Sequence, residues 1–131
     1  MSRVIFSDRQ IELAQRFKAA GISWEPRVGH YVYDAGHAVE PTSPFQDHVY
    51  FLLNYDCFMR KVGGLERFKQ IMTWLPTWGD ARELLEQLGM PSSEVQAELL
   101  LRNAIVNGDE LTVLYELVAQ RLGCSTAAEV S

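Results

Sequence analysis

The chain has 131 residues, 47% of them apolar and 22% charged, the proportions of one ordinary globular domain. Its net charge of −5 is unevenly spread: residues 1–65 carry seven basic and seven acidic side chains, residues 66–131 five and ten. An acidic second half with no Lys/Arg cluster argues against nucleic-acid binding, and no apolar run approaches the ~20 residues that span a bilayer.

Residues 1–124 read as a single domain and 125–131 as a frayed tail. The opening Met1-Ser2-Arg3-Val4-Ile5-Phe6-Ser7-Asp8 turns polar after three apolar residues, unlike a secretory signal, so a cytoplasmic protein is expected. Ser7-Asp8-Arg9-Gln10 forms a capping box, and Ile11, Leu13, Ala14, Phe17 and Ala20 follow at roughly helical spacing up to Gly21. The pattern then changes. Pro26 and Gly29 mark a turn, and Tyr31-Val32-Tyr33 has the aromatic and β-branched make-up of a strand. Asp34-Ala35-Gly36-His37 reads as a second turn, followed by Ala38-Val39 and a loop over Glu40-Pro41-Thr42-Ser43-Pro44. Ser43-Pro44-Phe45-Gln46 resembles a helix start, so the apolar run after it suits a helix or a strand; its leading aromatic and β-branched residues favour a buried strand over about 48–53.

A short helix is expected from Tyr55 to Val62, ended by Gly63-Gly64. Leu65, Phe68, Ile71, Met72 and Leu75 then form one apolar helical face stopped by Pro76, although Thr73-Trp74-Leu75 also suits a further strand. Asp80 opens the next helix, with Ala81, Leu84, Leu85 and Leu88 inward. Pro91-Ser92-Ser93-Glu94 starts another, with Val95, Leu99, Leu100 and Ile105 on its buried side. Leu111, Leu114, Leu117, Val118 and Leu122 mark the last helix. The whole is an α+β fold: a small antiparallel sheet packed against several helices on one side, with a helical C-terminal half.

Trp24-Glu25-Pro26-Arg27-Val28-Gly29, Val49-Tyr50-Phe51 leading into Asp56-Cys57-Phe58, and Thr73-Trp74-Leu75-Pro76-Thr77-Trp78 together resemble a set of uncharacterised small bacterial proteins. Some relatives of that set occur near phage and mobile-element genes. The likeness covers about residues 10–90, and its members often carry Gly-Asp where this chain has Gly29-His30. The resemblance implies a phage or mobile-element association and brings no catalytic residues with it.

Three chemistries compete for the segment from Trp24 to Leu53, which holds all three histidines. His30, His37 and His48, with Asp34 or Asp47, have the donor types of a zinc site, but their spacing matches no metal motif. Cys57 with His48 or His30 would make a nucleophilic pair, yet Asp56 beside the thiol works against its ionisation. The two cysteines, Cys57 and Cys124, match no zinc or redox spacing and read as free thiols. Aromatic side chains make the third reading: Tyr31 and Tyr33 share one strand face, and rings with a polar handle are the usual stuff of binding surfaces. Trp74 and Trp78 around Pro76 are expected to clamp a corner between two helices. The acidic last two helices, with Glu94, Glu98, Asp109, Glu110 and Glu116, read as a solvated face.

The expected function is therefore a non-catalytic protein-interaction module without metal or cofactor. Its binding face is expected at Trp24, His30, Tyr31, Tyr33, His37 and Tyr50. Its partner would be another protein or a second copy paired through a sheet edge. The alternatives are a small-ligand binder with an aromatic pocket and a metal-dependent hydrolase using the three histidines.

Overall fold

The computed structural model describes residues 6–22, 24–36, 46 and 48–123. The expected loop over 40–44, Ala38-Val39, His37, Asp47, Cys124 and the tail lie outside the described residues.

Helix α1 spans Asp8–Ala19. The Ser7 hydroxyl accepts from the Gln10 amide, and the Gln10 side chain returns to the Ser7 amide, so the capping box forms as the sequence indicates. Strands β1 (Tyr31–Asp34), β2 (Val49–Phe51) and β3 (Met72–Leu75) make an antiparallel sheet in the order β2-β1-β3. Helices α2 (Tyr55–Val62) and α3 (Leu65–Ile71) connect β2 to β3. Helices α4 (Trp78–Gln87), α5 (Ser92–Leu101), α6 (Ala104–Asn107) and α7 (Glu110–Arg121) build the C-terminal half, giving an α+β fold.

The sheet is covered on both faces, not one. In the β1 register, Tyr31 and Tyr33 share a face with Val49, Phe51, Thr73 and Leu75, while Val32 pairs with Tyr50 and Trp74 on the other. Tyr31, Tyr33, Val49 and Leu75 pack with α1, α4, α5 and α7 in the larger core, around Phe17, Leu85, Leu114 and Tyr115. Val32, Tyr50, Leu52 and Met72 pack with Met59 and Val62 of α2 and Phe68 of α3 in a second core. The central strand therefore packs on both sides, with Val32 fully buried and Tyr31 and Tyr33 half-buried.

Four local expectations change. The apolar face expected to run helically from Leu65 to Leu75 breaks at Ile71, because Met72–Leu75 extends to pair with β1. That pairing satisfies a row of backbone groups on the open side of β1, which one more helical turn would leave unmatched. The aromatic corner at Pro76 joins a strand to a helix, with Trp78 45% exposed at the start of α4. Helix α4 starts earlier than Asp80: Thr77 is its cap, and Asp80 is the third-position partner of a second capping box. Finally, Leu100 and Ile105 are 67% and 56% exposed: Leu100 falls off the inward Val95–Leu99 stripe of α5, and Asn103 in the left-handed conformation (φ +54°) turns the chain into α6 before Ile105.

Candidate functional site

Arg27 to His30 form a tight turn in which the His30 amide donates to the Arg27 carbonyl. Gly29 sits at its third position with φ +99°, a conformation that favours glycine there. The turn delivers His30 to the start of β1, where its carbonyl accepts from Leu52 and extends the ladder with β2. Trp24, just upstream, reaches across to β3 and stacks on Trp74, with centroids 5.5 Å apart and planes within 1°. His30 lies against the same pair, 5.2 Å from Trp74 and 6.0 Å from Trp24.

These rings form one wall of a cleft of about 250 Å³, lined also by Glu25, Arg27, Asp80, Glu83, Leu84 and Gln87. The last four come from α4 at positions i, i+3, i+4 and i+7, one continuous stripe of the helix. His30 is 5% exposed. Burial pushes its pKa below the usual histidine range; the Asp80 carboxylate opposes that shift and Arg27 adds to it. Arg27 Nε donates to His30 Nε2 at 3.3 Å, an arrangement that needs that nitrogen unprotonated. A neutral imidazole, an indole pair and acidic groups thus face one concavity.

The sequence-derived site residues separate. Trp24 and His30 line the cleft. Tyr31 and Tyr33 turn to the opposite sheet face and pack on the larger core, where Tyr31 meets Phe6 and Phe51 at 5.4 and 4.9 Å. Tyr50 is 9% exposed within the second core, so it offers no contact surface. His37 lies outside the described residues. Sequence reasoning missed Asp80, Glu83 and Gln87; their spacing beside the apolar stripe of α4 was the available signal. It favoured a corner clamp for Trp74 over a docking role and did not place it beside Trp24 and His30.

His37 and Asp47 of the metal reading lie outside the described residues, and among the described ones neither the metal nor the thiol reading is brought together. The His48 carbonyl accepts from Asp34 at one end of the β1–β2 ladder, and the His30 carbonyl accepts from Leu52 at the other. Four strand residues separate them, roughly 13 Å at the usual rise. Among the described residues no group of three His, Cys, Asp or Glu side chains could hold a metal ion. Cys57 is a half-buried free thiol in the first turn of α2 and does not line the cleft. Among the described residues no helix is long and apolar enough to cross a membrane. No family model, curated protein or solved structure matches the chain.

Proposed function

We propose that this chain is a non-catalytic binding module whose recognition site is the cleft between Trp24, His30, Trp74 and α4. Its partner is a protein segment that inserts one side chain. The observation that carries this reading is the concavity itself, where an indole pair and several polar groups converge, the usual make-up of a recognition site. Size favours the side-chain reading over the small-ligand one. At about 250 Å³ the cleft falls just under the ~300–1,000 Å³ of typical small-molecule pockets, so a side chain suits it better than a whole metabolite. The same reading includes a cytoplasmic setting and either a foreign protein or a second copy as partner. A phage or mobile-element link rests on the sequence resemblance alone.

A peptide-display selection tests the site. Peptides enriched on the wild-type protein should shift the indole N–H resonances of Trp24 and Trp74, and should fail to bind a Glu83→Arg/Gln87→Arg variant. Peptides that bind both proteins equally and leave those two resonances unmoved would show that recognition lies elsewhere.

A further inference from the structure

Leu100, Leu101, Ile105 and Val106 fall within seven consecutive residues, at the corner where α5 passes into α6, and each is more than half exposed. The other exposed large apolar residues among those described, Val28, Leu53, Leu65 and Trp78, stand well apart in sequence. Helix α5 thus carries apolar side chains on both sides. Val95 and Leu99 join the larger core, while Leu100 and Leu101 face outward. A helix that is apolar all round is ordinarily a covered one.

The charges at this corner are already satisfied. Between Leu99 and Gly108 the one charged residue is Arg102, and its guanidinium lies 3.2 Å from both Glu98 and Glu116. Covering the corner therefore leaves no charge buried without a partner, which is the usual obstacle to such a contact. The charges that flank it are acidic: Asp109, Glu110, and Glu94, which pairs with Arg121 at 3.8 Å. An anionic membrane surface calls for cations beside the apolar residues, so this corner does not suit one.

Area points to the occupant. The four side chains together expose on the order of 500 Å², the upper part of the range for the largest patch on a monomer. Set against the same corner of a second copy, they would bury about 1,000 Å² in all, the size at which specific interfaces begin. A second copy also offers an uncharged apolar face to an uncharged apolar face, as a two-fold contact requires.

We infer that two copies of this chain associate through the α5–α6 corner, with Leu100, Leu101, Ile105 and Val106 of each packing on the same residues of the other about a two-fold axis. An interface of that size is weak, with Kd on the order of 10–100 μM, so the copies separate at the dilution of ordinary unfolding measurements. None of the four residues lines the cleft, and the pairing stands or falls independently of recognition there.

Sedimentation velocity on the full chain, from about 5 to about 500 μM, tests it. The weight-average coefficient should climb from the monomer value towards the dimer value and not pass it. Leu101→Glu/Val106→Glu changes two exposed positions, so indole N–H resonances should stay native while association weakens about tenfold or more. Leu53→Glu, exposed just past β2, controls for pairing through the sheet edge and should associate like the parent. Amide shifts of the parent on dilution, which need no substitution, should centre on residues 99–108. A parent that stays monomeric throughout overturns the inference, whether solvent, a segment of the same chain or a foreign partner covers the corner. Association that survives the double substitution, or is lost in Leu53→Glu, overturns it in favour of another surface. Growth beyond the dimer overturns the two-fold pair.

Discussion

The indole rings of Trp24 and Trp74 stack in parallel with centroids 5.5 Å apart, an offset arrangement of the kind aromatic pairs prefer. Trp24 packs against the core under α2 and α3, and Trp74 against the core under α1 and α7. The stack therefore joins the two cores and forms a wall of the cleft at once. The same two residues thus tie the cores together and shape the cleft.

A double-mutant cycle should expose that coupling. Trp24→Leu and Trp74→Leu each lose packing with other neighbours, Trp24 also meeting Phe68 at 6.2 Å. The pairwise term, which cancels those losses, is expected at about 1 kcal/mol. Urea unfolding of the four proteins measures it. A coupling near zero would mean that the rings merely adjoin.

His30 should make stability fall on mild acidification. Its folded-state pKa lies below the ordinary value of 6.5, chiefly through burial, so the unfolded chain takes up the proton more readily. The stability it contributes is complete above the unfolded value and is lost as pH falls from there through the lower folded value. The urea midpoint should drop between about pH 7 and 5.5, above the range where ordinary carboxylates titrate. His30→Gln, which cannot take up that proton, should show a shallower drop. Superimposable pH profiles for the two proteins would contradict this.

The two charges that act on His30 have opposite signs and can be separated. Asp80 raises its pKa and Arg27 lowers it. Asp80→Asn should therefore move the imidazole titration, followed by its Cε1–H resonance, to lower pH. Arg27→Gln should move it higher, both by removing a like charge and by removing the donor to Nε2 that favours the neutral ring. Shifts in the same direction for both variants would contradict the geometry.

Much of this architecture could be read from local pattern. Ser7 and Gln10 announced α1, Tyr31-Val32-Tyr33 announced β1, and the helix over 55–62 has the expected bounds. These signals are short-range. What escaped depends on partners distant in sequence. Thr73-Trp74-Leu75 suited a strand as well as the end of a helical apolar face, and only its pairing with the edge of β1 decides between them. The candidate site was half legible for the same reason. Trp24 and His30 stood out by residue type, whereas Asp80, Glu83 and Gln87 acquire meaning only once α4 lies across from them. Tyr31 and Tyr33 did share a face, but alternation alone does not say which face is covered.

Tyr115 supplies a test of the corner that positions α4. Its ring packs 5.4 Å from Phe17, and its buried hydroxyl donates to the Pro76 carbonyl between β3 and α4. Burial, with Asp80 second, pushes the phenol well above the usual tyrosine value of 10.0, so the donor persists into alkaline solution. Tyr115→Phe keeps the ring and leaves that carbonyl unmatched, at an expected cost of about 1–2 kcal/mol. Trp24 and Trp74 fluorescence should stay native-like at neutral pH if the loss is confined to this bond. A variant as stable as the parent would show that solvent replaces it.

The three consecutive leucines at 99–101 give the sharpest contrast between composition and position. A helix of 3.6 residues per turn can bury only part of such a run against one neighbour. Leu99 lies four residues after Val95 on the inward stripe and is 3% exposed, whereas Leu100 and Leu101 are 67% and 80% exposed. Leu99→Ala should cost about 3 kcal/mol through lost burial and the cavity left behind. Leu100→Ala, with leucine and alanine both good helix formers, should cost about 0.5 kcal/mol or less. Urea denaturation at a fixed protein concentration compares them directly. Repeating it over a wide concentration range adds a second reading. If Leu100→Ala proves costly, and the cost grows with concentration, the exposed leucines are covered in an assembly rather than by solvent.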